Sequence, residues 1–461
     1  MTTIVLPEAF AAAVMQFLDS MRAQQKPVPS PLRPYLQDLF GCDPSLLSLV
    51  AEKYPGFQLP NVQLAIDRVM ARPDATSRAI GVVADQVLRS ELGNAIVAPS
   101  SRPECQPPRE GPMSFVNVHL SSERVLPCSQ VGVYLVKTAN SVHAFFIAVQ
   151  EGFKDIVITV QVMAREREEG LAVLADFNAI VRQVNVYRGH VLTVEATLMA
   201  GLKIEFAKIP EIRREHIILP KGVIERVERQ TVQFAEHKAA LSASGFHLKR
   251  GMLLYGPPGT GKTLTTLYLA NVARGRTVIL LTGERFGSLS SACAVARDLQ
   301  PSLVIMEDVD LIAEDREMGG SRTQLHVLLE AMDGLEGDAD IQFILTTNRV
   351  DVLERALQSR PGRIDLAIEI PLPDAECRRR IFELFSRGVK HALGDFSEWV
   401  KRTEGASATF IRELLRRAAL ESSLEGGPID LRSRHLEAAI TELVEVGGRL
   451  TRHILGFQTP E

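Results

Sequence analysis

Gly256-Pro257-Pro258-Gly259-Thr260-Gly261-Lys262-Thr263 fits the pattern G-x-x-x-x-G-K-[ST] at every fixed position. These residue types at this spacing suit one task, holding the phosphates of a nucleoside triphosphate. Glycines lack a Cβ, so the turn can bend sharply and its N–H groups can approach an anion. A helix beginning at the end of the run adds the positive end of its dipole. Lys262 reaches the β- and γ-phosphates, and the Thr263 hydroxyl holds Mg²⁺. The candidate nucleotide-binding set is therefore Gly256, Pro257, Pro258, Gly259, Thr260, Gly261, Lys262, Thr263 and Leu264.

Two further polar clusters can complete phosphoryl chemistry. Glu307 and Asp308 close an apolar run, Ser302–Met306. One carboxylate can hold Mg²⁺ through water while its neighbour orients the attacking water. With four apolar residues, Leu303 to Met306, before the pair, Glu307 takes the metal and Asp308 the water. Asp310 reads more readily as a capping or solvated acid. Asn348, at the end of Ile341–Asn348, can hydrogen-bond both phosphate and lytic water, although alone it also suits a turn. Arg360 and Arg363 bracket a Pro-Gly turn that fixes their direction. They can stabilise charge on a neighbour's γ-phosphate or form a solvated basic turn.

Positioning these groups needs a strand, a turn and a helix in succession. Gly251–Tyr255 reads as a buried strand and Leu264–Ala273 as the helix after the glycine-rich turn. Ser302–Met306 is nearly continuous in apolar residues, as a central parallel strand should be. Carboxylates at its C-terminal tip would face the phosphates across the sheet edge.

Elsewhere, residues 1–97 carry apolar residues at helical spacing over Pro7–Gln24, Pro44–Lys53, Asn61–Ala71 and Ala75–Leu92. Residues 98–112 are proline-rich and form a linker or ordered loop. Residues 113–214 predict a small mixed α/β block, with strands at Val131–Val136, Ala144–Val149, Ile156–Val160 and His190–Val194 and a helix over Arg165–Val184. The nucleotide core occupies 215–373. Residues 374–461 return to helical spacing at Ala375–Arg387, Ser407–Glu425 and Leu431–Val446.

Composition narrows the class. With 46% apolar and 23% charged residues, the chain is that of a soluble globular protein. A formal charge of −4 gives no general attraction to nucleic acid. Cys42, Cys105, Cys128, Cys293 and Cys377 are dispersed, which favours a reducing compartment over a disulfide frame or zinc site. The N-terminus lacks a basic signal-peptide region, and no run of 18 apolar residues predicts a membrane span. A cytoplasmic location is the expectation. No His-Glu-x-x-His occurs, so no zinc protease of that type is fused to the chain.

From about Leu219 to Leu443 the chain resembles the AAA subfamily of AAA+ ATPases. The likeness rests on ordered motifs: Gly256–Thr263 as Walker A, Leu303–Asp308 as Walker B, Leu328–Gly334, Thr346-Thr347-Asn348 as sensor 1, Arg360–Arg363 as the arginine-finger segment, and Thr403–Arg412 as the start of the sensor-2 helix. It implies an α/β fold with a P-loop parallel-sheet core and a C-terminal helical lid. It also implies ATP and Mg²⁺, and a homo-oligomeric ring, usually a hexamer, with ATP between subunits and substrate in a central pore. Three departures stand out. The Glu307-Asp308 order inverts the usual Asp-Glu and is similar to the mitochondrial AAA translocases that assemble the Rieske iron–sulfur protein, though those carry a membrane helix before the ATPase module. The finger segment is one residue longer than the family's common form, leaving open which arginine acts. The pore triplet is represented only by Arg285-Phe286-Gly287, where Phe286 equally suits a core or turn. The leading expectation is a ring motor that remodels, unfolds or translocates protein clients, recognised through the N-terminal region or the pore. A nucleic-acid-handling AAA+ ATPase and a slow ATP-dependent switch are the alternatives. Arg378-Arg379-Arg380 falls on a lid helix, as a solvated or subunit-contacting face.

Overall fold

A computed structural model describes Gln16 and residues 29–97, 106–121, 124–152, 156–197, 201–248, 250–273, 275–282, 288–311, 339–350 and 364–446. Phe286, Arg360, Arg363, Leu328–Gly334 and the predicted helix Pro7–Gln24, Gln16 apart, lie outside the described residues. The chain divides into two compact units, Met1–Val186 with Thr197–Lys203, and Tyr187–Ala196 with Ile204–Glu461.

The first unit contains α1 (Arg33–Phe40), β1 (Ser48–Pro55), α2 (Leu59–Met70), β2 (Ala75–Val83), α3 (Leu92–Val97), β3 (Arg109–Glu110), β4 (Ser114–His119), β5 (Val125–Thr138), β6 (Val142–Glu151), β7 (Ile156–Ala164) and α4 (Arg167–Gln183). One antiparallel sheet runs β1-β7-β6-β5-β2-β3, with β4 also on β5. Alternate residues of its central strands serve two cores. Phe145, Ile147 and Val149 pack with Val62, Ile66, Leu174 and Phe177 of α2 and α4. Ala144, Phe146 and Ala148 pack with Leu36, Phe40, Leu92 and Ile96 of α1 and α3. Burial on both faces explains why β6 is almost wholly apolar.

Two predicted helices are strands here. Pro44–Lys53 is a short 3₁₀ turn, Pro44–Leu46, followed by β1, and Ala75–Leu92 is β2 followed by the 3₁₀ turn Gln86–Glu91. Helical spacing in such short segments does not exclude a strand, and tertiary pairing decides. β1 gains eight pairs on β7, and β2 gains seven on β5. Gly81 marks the second case: a Cβ there would meet the Gly111 carbonyl oxygen at 2.4 Å. Strands from residues 48–83 and 114–164 thus share one sheet, and the first 97 residues are not a separate helical block.

The second unit is built on β8 (Val191–Thr197), β9 (Gly201–Phe206), β10 (Arg250–Tyr255), α5 (Lys262–Val272), β11 (Thr277–Thr282), α6 (Leu289–Asp298), β12 (Ser302–Glu307), β13 (Ile341–Thr347) and β14 (Leu366–Glu369). Its sheet runs β14-β10-β13-β12-β11-β8-β9, parallel from β14 to β8. The predicted strand His190–Val194 therefore belongs to this sheet, as β8. Strand order reverses at β10: the chain leaves it for β11 on one side and returns to β14 on the other. The tip of β10 is thus the switch point at which open α/β sheets bind ligands.

Beyond residue 374 come α7 (Ala375–Phe385), α8 (Ser397–Arg402), α9 (Ala408–Leu424) and α10 (Ser433–Thr441). They enclose a separate core of Phe382, Trp399, Phe410, Leu414 and Leu436. Asp374 caps α7 by accepting from the Cys377 N–H at 2.8 Å, and Ser407 caps α9 by accepting from Phe410 N–H at 3.1 Å. Arg378 is not on a solvated face. It is buried, donating from Nε to the Val400 carbonyl at 3.1 Å and from Nη1 to the Pro373 carbonyl at 2.8 Å. Those carbonyls anchor the guanidinium, while Arg379 stays exposed against Glu376 and Glu383.

Candidate nucleotide site

The phosphate loop joins the tip of β10 to the first turn of α5. Gly256, with φ +149°, has its α-carbon against the backbone of Ile370, where a Cβ would meet the carbonyl oxygen at 2.2 Å. Gly261, with φ +106°, has open space around it, so conformation alone demands glycine there. Thr260 Oγ1 donates to the Pro257 carbonyl at 2.9 Å and braces the loop. Lys262 is buried, and its Nζ donates to the Gly256 and Pro257 carbonyls, each at 2.8 Å. Burial lowers its ammonium to about 8, against the opposing pull of Asp308 and Asp310.

The two carboxylates at the tip of β12 diverge. Glu307 accepts from Thr266 Oγ1 at 2.6 Å and lies beside Thr263, both on α5. Burial raises its carboxyl above the usual range despite these neighbouring hydroxyls. Asp308 turns the other way. Its backbone is left-handed, with φ 54°, and its N–H donates to Thr346 Oγ1 at 3.0 Å. Its Oδ1 accepts from Asn348 Nδ2 at 3.1 Å. Burial, then the nearby Asp310 charge, raises the Asp308 carboxyl. A non-glycine residue in this backbone region stores strain, and such residues cluster at functional sites.

Asp310 does more than solvate a turn. It is buried and accepts from Thr347 Oγ1 at 2.8 Å and from the Asn348 N–H at 3.3 Å, locking the tip of β13. The adjoining Thr346-Thr347-Asn348 was its available signal, since hydroxyls at one strand tip can anchor acids at the next. The lid adds groups that the motifs leave out of the candidate set. Thr409 N–H donates to the Gly259 carbonyl at 3.3 Å. Gly259 has φ +75°, and a Cβ there would meet Ser407 Oγ at 2.7 Å.

A cleft of about 460 Å³ results, lined by the loop from Pro258 to Leu264 excepting Thr260, by Asp308 and Asn348, and by Phe385, Thr409 and Arg412 of the lid. Gly256, Pro257 and Thr260 shape the loop without lining the cleft. A buried lysine, a helix N-terminus and open-conformation glycines around one cleft define a P-loop nucleotide-binding site.

Comparison with known proteins refines that class. Residues 252–372 match the family model "ATPase family associated with various cellular activities (AAA)". The proteasome-activating nucleotidase of Archaeoglobus fulgidus is 34% identical over 248 residues, 50% of this chain and 60% of that protein. The 26S proteasome regulatory subunit 8 homolog of Schizosaccharomyces pombe is 31% identical over 52% of this chain and 63% of its own length. The ATP-dependent zinc metalloprotease FtsH of Opitutus terrae is 31% identical over 50% and 39%. The chain thus spans less than two thirds of each of these relatives. Its nucleotide module is an AAA domain of the AAA+ class. Among the described residues, no helix is long and apolar enough to cross a membrane.

Proposed function

We propose that this protein hydrolyses ATP with Mg²⁺ and works as a homo-oligomeric ring, a hexamer in the family's usual form, that unfolds or translocates protein clients. The observation that carries the chemistry is the divergence of the two acids, Glu307 towards Thr266 of α5 and Asp308 towards Asn348 in the cleft. Thr263 and Glu307 offer a hydroxyl and a carboxylate beside the phosphate position, a donor set that suits Mg²⁺ with retained waters. Bound there, the ion would neutralise charge on the phosphate oxygens. Lys262 trades its loop carbonyls for those oxygens. Asp308 accepts the proton of the attacking water, and Asn348 orients that water. Arg360 or Arg363 of a neighbouring subunit completes the charge stabilisation, and Phe286 is the candidate pore residue.

The protein-handling part is supported by the relatives, two of whose names refer to the proteasome and one to a protease. A cytoplasmic setting belongs to the same proposal and is supported by free thiols at Cys42, Cys128, Cys293 and Cys377. The slow-switch reading keeps one argument, since Asp308 is a methylene shorter than glutamate and already engages Asn348. ATP turnover and loss of fluorescence from a tagged, destabilised substrate protein, measured together, separate the readings. The motor reading expects both, with turnover stimulated by the substrate. Nucleotide binding with neither turnover nor unfolding supports the switch, and stimulation by DNA instead of protein supports the nucleic-acid reading.

A further inference from the structure

The first unit holds a second cavity, of about 400 Å³. Its floor is His143 and Phe145 of β6, whose rings meet edge to face at 5.4 Å. One wall is α4, where Glu169, Val173, Asp176 and Ile180 follow one another on one helix face. The opposite rim carries Arg72 and Asp74 after α2, and the β5–β6 turn supplies Ser141.

His143 is only 6% exposed. Its Nδ1 lies 3.0 Å from Ser141 Oγ, and Ser141 Oγ donates to Glu169 Oε1 at 3.2 Å. A carboxylate only accepts, so the serine proton is committed to Glu169. The proton shared with the imidazole then belongs to Nδ1, which leaves Nε2 with a bare lone pair. Among the described residues Nε2 has no hydrogen-bond partner, and His143 lines the cavity. Burial lowers the imidazole's basicity, in keeping with a neutral ring. The charges at the rim are Asp74, Glu169 and Asp176 against Arg72, and Arg72 is held by Asp74 through two bonds of 3.2 and 3.0 Å. Glu169 and Asp176 remain as the excess.

We propose that this cavity is a binding site for an alkylammonium or alkylguanidinium group, with its apolar stem along Phe145, Phe177 and Ile180 and its donor tip between His143 Nε2 and Glu169. An apolar wall with one acceptor and net negative charge at its polar end matches a long basic side chain, which combines a hydrocarbon stem with a charged donor tip. Such a group comes either from a polypeptide's lysine or arginine or from a small free cation.

The test is fluorescence anisotropy on the full-length protein with a labelled pentapeptide carrying one arginine between leucines, and with its norleucine counterpart. The arginine peptide should bind at least ~10-fold more tightly, as expected of a charge-assisted hydrogen bond. Glu169→Gln and His143→Phe should each remove most of that difference. Asp176→Asn, at a solvent-exposed position of the cavity wall, should weaken arginine binding with an unchanged melting temperature, which covers the case in which a floor variant misfolds. Free arginine amide competing as well as the peptide supports the site with a small cation as its source. Competition by the peptide alone supports it with a polypeptide as source. Equal or absent binding of the arginine and norleucine peptides, or undiminished preference in folded Glu169→Gln and Asp176→Asn, overturns the proposal.

Discussion

In the proposed site Lys262 contributes charge to the phosphates, not packing. Lys262→Ala should therefore weaken ATP binding by about 100-fold, roughly 3 kcal/mol, with an unchanged circular dichroism spectrum. A fluorescent-nucleotide titration reads this directly, and near-native affinity would contradict the role given to the loop. The two acids should separate by experiment as they do by geometry. Asp308→Asn keeps the hydrogen bond acceptor facing Asn348 but cannot take a proton. It should bind ATP and slow hydrolysis by about 10²–10⁴-fold. Glu307→Gln, beside Thr263 and Thr266, should instead raise the Mg²⁺ concentration needed for half-maximal turnover. If Glu307→Gln stalls turnover while Asp308→Asn shifts the Mg²⁺ requirement, the roles are reversed. The phosphate loop and the acidic pair are legible in sequence as candidates, because each is local in the chain. The bracing of Asn348 by Asp310 is not, since it joins residues 38 apart through the β12–β13 pairing.

The elements explain which expectations succeed. β10, β12 and β13 read correctly because strands buried on both faces leave uninterrupted apolar runs. β1 and β2 do not, because each is only partly buried and owes its conformation to distant partners. Contact between elements also separates two glycines of the phosphate loop. At Gly259 an added Cβ collides with Ser407 and Thr409 at the start of α9, whereas at Gly261 it meets nothing within 4 Å. Gly261→Ala should cost only the left-handed backbone, about 1–2 kcal/mol. Gly259→Ala should lose more, read as a lower thermal midpoint without nucleotide, because the lid must shift as well. Equal midpoints would show that the lid does not rest on the loop. At the opposite end of the sheet, Asp340 accepts from Arg276 at 2.7 Å and Lys238 at 2.9 Å, with the Arg276 side chain 6% exposed. Asp340→Ala strands that buried cation and should cost about 3–5 kcal/mol in a urea titration. Nucleotide affinity in the folded variant should hold, since the site lies beyond the other ends of the strands.

For the whole molecule, the proposal is that no subunit completes its own ATP site. Arg363→Ala should bind ATP normally and hydrolyse it ~10³-fold or more slowly, as trans-acting arginine fingers do. Arg360→Ala run alongside identifies which of the two arginines acts. Mixing Arg363→Ala with Lys262→Ala subunits, once native mass spectrometry shows both in one ring, should restore some turnover, since one brings the phosphate loop and the other the finger. The most direct measurement is wild-type ATP turnover per subunit across protein concentration, with particle mass followed in parallel. The ring account predicts that turnover per subunit rises steeply as monomer gives way to the assembled particle. Turnover per subunit that stays constant down to concentrations at which only monomer exists would contradict it.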